Sequence, residues 1–253
     1  HHTMPPGMVL IPAAHVVIST TFRVRECGFY DSTHPHFEHS FPSLHGALSV
    51  HRELKLRQFA MDIYPVTNAE YARFVAATNY RPADPVNFLR HWVNGAPPPG
   101  RENHPVVYVD LDDARAYAKW IGKRLPTDEE WQWAAQGPDG RAYPWGNSLQ
   151  PGRCNDGTTA TTTPVDAFPQ GRSPFGCMDM CGNVWQWTES ERNDGRTRFA
   201  IIRGGSFYRR GGSQWYFDEG PQRADFAAKI LLWGARLDRC ANVGFRCAVD
   251  LPA

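Results

Sequence analysis

From Gly137 to the C terminus the chain shows almost no helical period, and this limits its fold more than any single motif does. Glycine, threonine, proline and tryptophan recur through that half, within a sequence of 253 residues that holds 22 Gly and 21 Pro. Such punctuation breaks both helical and alternating patterns, so the expectation is short strands joined by long ordered loops. Helices must then come from residues before Gly137, and three are signalled there. TNAEYARFVAATN places Thr67 and Glu70 at capping-box spacing and Tyr71, Phe74 and Val75 on one face. DLDDARAYAKWIG starts at Asp110, presents Tyr117, Trp120 and Ile121, and stops at Gly122. PTDEEWQWAAQG pairs Thr127 with Glu130, buries Trp131 with Ala134 or Ala135, and ends at Gly137.

The strands are read more coarsely. MVLIPAAHVVI is an apolar run broken by Pro12, TFRVRECGFY alternates in part, and HRELKLRQFAMDIY is a further strand region. Between the last two, DSTHPHFEHSFPSLHG has no period and reads as a long loop. RPADPVNFLRHWVNGAPPPGRENHP is too rich in Pro and Gly for regular structure, so it reads as a loop over a surface or cleft. A loop-rich half packed on few helices, with no polar linker, predicts one irregular α+β domain over residues 5–253. Residues 1–4, HHTM, look like the remnant of an expression tag.

Composition excludes some functions. With 42% hydrophobic and 13% aromatic residues the chain can build a core, and its net charge of +1 gives no reason to expect nucleic acid. No apolar run reaches the length of a membrane span, and no signal peptide is evident, so a cytoplasmic setting is expected. Six cysteines (Cys27, Cys154, Cys177, Cys181, Cys240 and Cys247) are too few for a disulfide scaffold. Cys177 and Cys181 form a CxxxC without a second pair or a nearby histidine, which points to buried small hydrophobes rather than zinc.

Three places carry possible chemistry. RGGSFYRRGGSQWYFDEG, residues 203–220, has glycines that let backbone approach a ligand, followed by arginines and aromatics, yet it contains no Cys, His or Lys. Arg209, Arg210, Trp215 and Tyr216 combine planar donors with apolar faces, which suits carboxylate-bearing peptides or sugar rings. HPHFEH and its surroundings gather His34, His36, His39 and His45 with Glu38, groups that a mononuclear iron or zinc site can use. All ten histidines lie at or before His104, so acid or base chemistry in the later half would fall to carboxylates such as Asp218, Glu219 or Asp225.

Several segments match one pattern in order: GMVLIPA, MDIYPVTNAEYARFV, HPVVYVDLDDARAYAKWIGKRLPTDEEWQWAAQG, YPWGN, TPVDAFP, FGCMDMCGNVWQW, RGGSF and NVGFRCA. The chain thereby resembles the formylglycine-generating enzyme family, the sulfatase-modifying factor domain, across nearly its whole length. The resemblance implies an irregular, loop-rich variant of the C-type lectin fold with few short helices and short antiparallel strands. Authentic members are copper-dependent oxidases that convert a Cys of a sulfatase peptide to formylglycine, using two cysteines after the GGS motif. Soft thiolates suit Cu(I). Aligned from Gly204, Gly205 and Ser206, those positions hold Arg209 and Gln214, a protonated guanidinium and a weak amide ligand, so copper is not expected. Cys247 matches a position that is disulfide-bonded in some members, but the partner position holds Ala118.

The resemblance implies further residues. Trp185, Ser206 and Asn242 match positions that line the substrate groove. Calcium is bound in the family around this motif, and the matching positions are Asp179, Gly182, Val184 and Gln186, with Gln186 replacing a Glu; carboxylate and carbonyl oxygens suit that hard cation. A second calcium site would begin near Asn155 and Asp156. FAAKILLWGA, within a stretch longer than is usual in the family, could be a short helix over the groove, a packing insert or a dimer contact. The favoured function is a non-oxidase member whose groove binds a glycan or peptide. The alternatives are a metal-dependent oxidase and a structural module with a protein partner. The oxidase would use the His-rich loop, as an iron enzyme, or keep formylglycine generation through other ligands. Iron oxidases of ergothioneine synthesis join this domain to a helical one that supplies their histidines, and no such helical domain is present here.

Overall fold

A computed structural model describes residues 3–23, 47–193, 198–209, 219–232 and 238–252. Its strands fall into two sheets. Met8–Ile11 (β1), Phe59–Asp62 (β4) and Ala248–Asp250 (β9) form a small antiparallel sheet in the order β1-β4-β9. Ala14–Arg23 (β2), Ala47–Leu56 (β3), Trp185–Asn193 (β5), Arg198–Arg203 (β6), Phe226–Leu231 (β7) and Val243–Gly244 (β8) form a larger one in the order β3-β2-β7-β6-β5-β8. Most neighbours are antiparallel, while β2 with β7 and β5 with β8 run parallel. Pro12 divides β1 from β2, since proline has no N–H to give a ladder.

The helices are Asn68–Thr78 (α1), Leu111–Trp120 (α2) and Asp128–Gln136 (α3), each opened by a reciprocal capping box from Thr67, Asp110 and Thr127. Each box satisfies backbone donors that a helix start leaves without partners. α1 and α2 pack Tyr71, Phe74, Ala114 and Tyr117 against Trp185, Trp187, Ile202 and Phe245 from the large sheet and its flanks. α3 packs Trp131, Trp133, Ala134 and Ala135 against Ile11, Ile18, Leu54, Phe59 and Met61, so it lies between the two sheets. Residues 81–105 contain no helix and no strand, and they fold onto the loop that follows Asn155: Val165 N donates to Asn103 O at 3.0 Å, and His104 Nδ1 lies 2.8 Å from Thr162 Oγ1.

Two local expectations are corrected. Phe226–Leu231 is a strand, not a helix over the groove. Its apolar residues sit at a spacing that suits either structure, and the ladders to β6 and β2 decide between them. On α2 the packed face is Leu111, Ala114, Tyr117 and Ala118, while Trp120 and Ile121 are exposed. Trp120 is the last helical residue, with its ring against Phe74 and Tyr117 and its outer side open to solvent, and Ile121 follows as the chain leaves through Gly122 at φ +73.

Candidate functional site

The GGS loop is placed by the strand that precedes it. Arg203 ends β6 fully buried, and its guanidinium donates to Asp128 Oδ1, to Gln132 Oε1 and to the carbonyls of Ala224 and Phe226. Arg52 Nη1 reaches the other Asp128 oxygen at 2.8 Å. Burial works against the Asp128 carboxylate, but Arg203 and Arg52 outweigh it and hold the carboxyl below its ordinary range. Past this anchor Gly205 adopts φ +72, and a Cβ there would stand 2.4 Å from Gly220 O, so the position admits only glycine. Ser206 N then donates to Gly220 O at 3.0 Å, and Gly204 O accepts from Gly182 N at 2.9 Å and Gln222 N at 3.1 Å.

This loop brings together three residues singled out in the sequence. Asn242 Nδ2 donates to Ser206 Oγ at 3.2 Å, and Asn242 O accepts from Trp185 N at 2.8 Å. Trp185, however, is not an exposed wall. Its ring is 0% exposed and packs against Phe226 at 6.4 Å, so it belongs to the core that supports the loop and not to an exposed surface. Its indole Nε1 is buried without a hydrogen-bond partner among the described residues, an unusual state for so strong a donor.

Arg209 is exposed, and its Nε donates to Asp156 O. Its guanidinium carbon lies 3.2 Å from where a Cβ on Gly220 would stand, and its Cγ lies 3.1 Å from the same point on Gly157. The side chain therefore spans the rim between loop 155–157 and loop 219–220. It forms no ion pair with Glu219 among the described residues. Glu219 Oε1 is buried and, within the same limits, unpartnered. Asp225 pairs with Arg223 at 3.0 Å. Arg210, Gln214, Trp215, Tyr216 and Asp218, and the histidines His34, His36, His39 and His45 with Glu38, lie outside the described residues.

In loop 179–186, Asp179 has φ +55 and its Oδ2 accepts from Asn183 Nδ2 at 2.8 Å. Burial pushes its carboxyl up to about 7, against the pull of Asn183 and Arg246, and it has no ion pair among the described residues. Thr163 Oγ1, in the strand of chain that bonds Asn183 on both its N–H and C=O, is also buried without a partner. An acid without a counter-ion beside an orphan hydroxyl fits a hard cation. Gln186 does not fit one. Its Oε1 accepts from Trp131 Nε1 at 2.9 Å and Arg246 Nε at 2.7 Å, while its Nε2 donates to Asp179 O at 2.7 Å, so both ends of the amide are taken by the protein. Asn155 and Asp156 are similarly committed: Asn155 binds Thr161 O, Asn183 Oδ1 and Gly157 N, and Asp156 Oδ1 accepts from Thr158 N and Oγ1. No group of three His, Cys, Asp or Glu side chains that could hold a metal occurs among the described residues.

One further polar residue, outside these loops, was missed by sequence reasoning. His91 Nε2 lies 2.9 Å from Asn68 Oδ1, which also accepts from Trp92 Nε1, so Nε2 carries the proton and Nδ1 is a buried acceptor without a partner among the described residues. Burial pushes this imidazole down to about 4. Nothing local marks it, because loop 81–105 has no period and only its packing on Asn68 and Tyr108 buries the ring.

The residues assembled around Ser206 define a class. The chain matches the Sulfatase-modifying factor enzyme 1-like domain over residues 1–251, and it belongs to that family. Its α+β architecture is the formylglycine-generating-enzyme variant of the C-type lectin fold. Among curated relatives it is 34% identical over 248 residues to the inactive C-alpha-formylglycine-generating enzyme 2 of Bos taurus, covering 78% of this chain and 79% of that one. It is 35% identical over 195 residues to the formylglycine-generating enzyme of Mycobacterium tuberculosis, covering 54% of this chain and 64% of that one. Among solved structures, PvdO from Pseudomonas aeruginosa superposes with a TM-score of 0.65 at 22% identity, covering 96% and 94% of the two chains. At that identity the likeness speaks to fold alone.

Proposed function

We propose that the chain is a non-oxidase member of the family whose groove binds a glycan or peptide ligand. The observation that carries this reading is Arg209. It stands where the resemblance places the first copper thiolate, it is exposed, and it is braced on Asp156 and the two glycines. A guanidinium there repels a cuprous ion and offers donors to a carboxylate or a sugar hydroxyl. Asn242, half-buried, supplies a further polar group, while the buried Ser206 and Trp185 position it through the Ser206 Oγ and Trp185 N bonds. Arg210 and Trp215 complete the proposed binding set. That relatives of this identity include proteins named inactive supports the reading.

Calcium is proposed at loop 179–186, held by the Asp179 carboxylate and the carbonyls of Gly182 and Val184, with Gln186 left to Trp131 and Arg246. Such an ion would supply the missing counter-charge for Asp179 and stabilise the loop that carries Trp185.

Screening the purified chain on glycan and peptide arrays, followed by titration of any hit against Arg209→Ala, tests the binding role. Affinity unchanged in folded variant would move the binding surface elsewhere.

A further inference from the structure

The groove floor hides a second feature, and it depends on cysteines other than those the copper chemistry needs. Cys154 and Cys181 come from segments far apart in sequence, yet the fold lays those segments side by side. Asn183 N donates to Asn155 O at 3.0 Å, and a Cβ on Gly182 would stand 2.3 Å from that same oxygen and 3.3 Å from Cys154 Sγ. Gly182 directly follows Cys181, so the Cys154 sulfur packs against the backbone next to Cys181. Both are reduced, at 5% and 1% exposure, and Cys181 Sγ also donates to Gln222 O at 3.3 Å. The pair lies directly beneath the GGS loop, since Gly182 N and Gln222 N both bond Gly204 O.

We propose that Cys154 and Cys181 form a peroxide-oxidisable dithiol that closes an intramolecular disulfide under the groove. Cys154 is assigned the first step because the Cys181 thiol is committed to the Gln222 carbonyl. Its sulfur attacks one oxygen of hydrogen peroxide, the O–O bond breaks, and a sulfenic acid and one water result. The Cys181 sulfur then attacks that sulfenic sulfur; the S–S bond forms, the S–O bond breaks, and the hydroxyl leaves as a second water with the Cys181 proton. Two thiols and one peroxide thus give one disulfide and two waters. Burial and the adjacent Cys154 thiol keep the Cys181 proton in place, which fits a resolving rather than an attacking role. The bond would tie loop 155–157, on which Arg209 leans, to loop 179–186, which carries Asp179 and Trp185, and so would stiffen floor and rim together.

The test uses the whole purified chain, fully reduced, treated with hydrogen peroxide, then denatured in an alkylating reagent and mapped without reduction. The expected result is the joint loss of two thiols and a link between the peptide starting at Cys154 and the one holding Cys181, with Cys177 still alkylated. Dithiothreitol should reverse it, and the unfolding midpoint should rise by several degrees on oxidation. In Cys181→Ala the Cys154 sulfenic acid should persist and be trapped by dimedone. The proposal fails if both thiols remain alkylated after peroxide has oxidised other residues. It fails equally if the link joins another pair, or if Cys154 passes to sulfinic acid in wild-type chain without a bond. The wild-type map decides the matter even if a variant does not fold.

Discussion

Arg203 and Arg209 stand six positions apart on one segment and lead opposite lives. Arg203 is fully buried, and carboxylate, amide and backbone oxygens from two segments, residues 128–132 and 224–226, surround it. Arg209 is exposed and makes a bond to one carbonyl. Between them lie two glycines and Ser206, over which the chain passes from anchor to rim. The difference teaches how this fold can change chemistry without losing shape. Arg203 is fixed by a buried network that also takes in Arg52 and Thr20, whereas Arg209 leans on a single carbonyl at the rim.

The largest expected effect breaks the floor. Arg203→Ala leaves Asp128 buried with only Arg52 beside it and should destabilise the chain by about 3–5 kcal/mol, read as a lower urea midpoint. A loss below about 1 kcal/mol would mean the anchor is dispensable. Trp185→Ala belongs with it, because a ring without exposure cannot be truncated without leaving a cavity, and a loss of about 3–5 kcal/mol is expected. Trp185→Phe keeps the apolar body and drops the unpartnered N–H, and is the variant to use in binding work.

At the rim the order reverses. Arg209→Ala should change stability by less than about 1 kcal/mol, yet weaken any ligand found by array screening by about 1–3 kcal/mol, the range for a hydrogen bond to a charged group. Equal and small effects on both readouts would make Arg209 a simple surface residue.

The smallest effect concerns pH. The folded Asp179 carboxyl titrates at about 7, above its ordinary value of 3.8, so it adds stability that is complete below the unfolded value and is lost as pH rises through about 7. Asp179→Asn keeps an oxygen for Asn183 and removes the titration. It should therefore gain on wild type by roughly 1 kcal/mol or more on going from pH 5 to pH 8 without calcium. Added calcium should raise the wild-type melting temperature at pH 8 and leave the variant unmoved. If chelation and the variant are both silent, the loop holds no ion.

What could be read from the sequence follows the range of the forces involved. The capping boxes at Thr67 and Thr127 are local, spaced by backbone geometry, and formed where expected, and the helix expected to start at Asp110 opens with a box to Asp113 as well. Motif order led to the right family, and with it to the meeting of Ser206 and Asn242. Burial was harder. Trp120 looked like core and Trp185 like a groove wall, but tertiary packing decides which ring sees water: Trp120 keeps its outer side open at the helix end, and Trp185 is enclosed beside Phe226. The strand at Phe226 was unreadable for a similar reason, since its partners β2 and β6 lie elsewhere in the sequence. His91 and the Cys154–Cys181 pair are created by contacts between loops, and no window of sequence contains them.

The central claim is that the floor was kept while the oxidase chemistry of the rim was not. It is tested most directly by incubating the chain with added copper and a Cys-containing sulfatase peptide in oxygen and measuring aldehyde in the peptide by mass spectrometry. With a guanidinium at position 209 in place of a thiolate, the peptide should return unchanged. Multiple-turnover conversion to formylglycine would contradict the account.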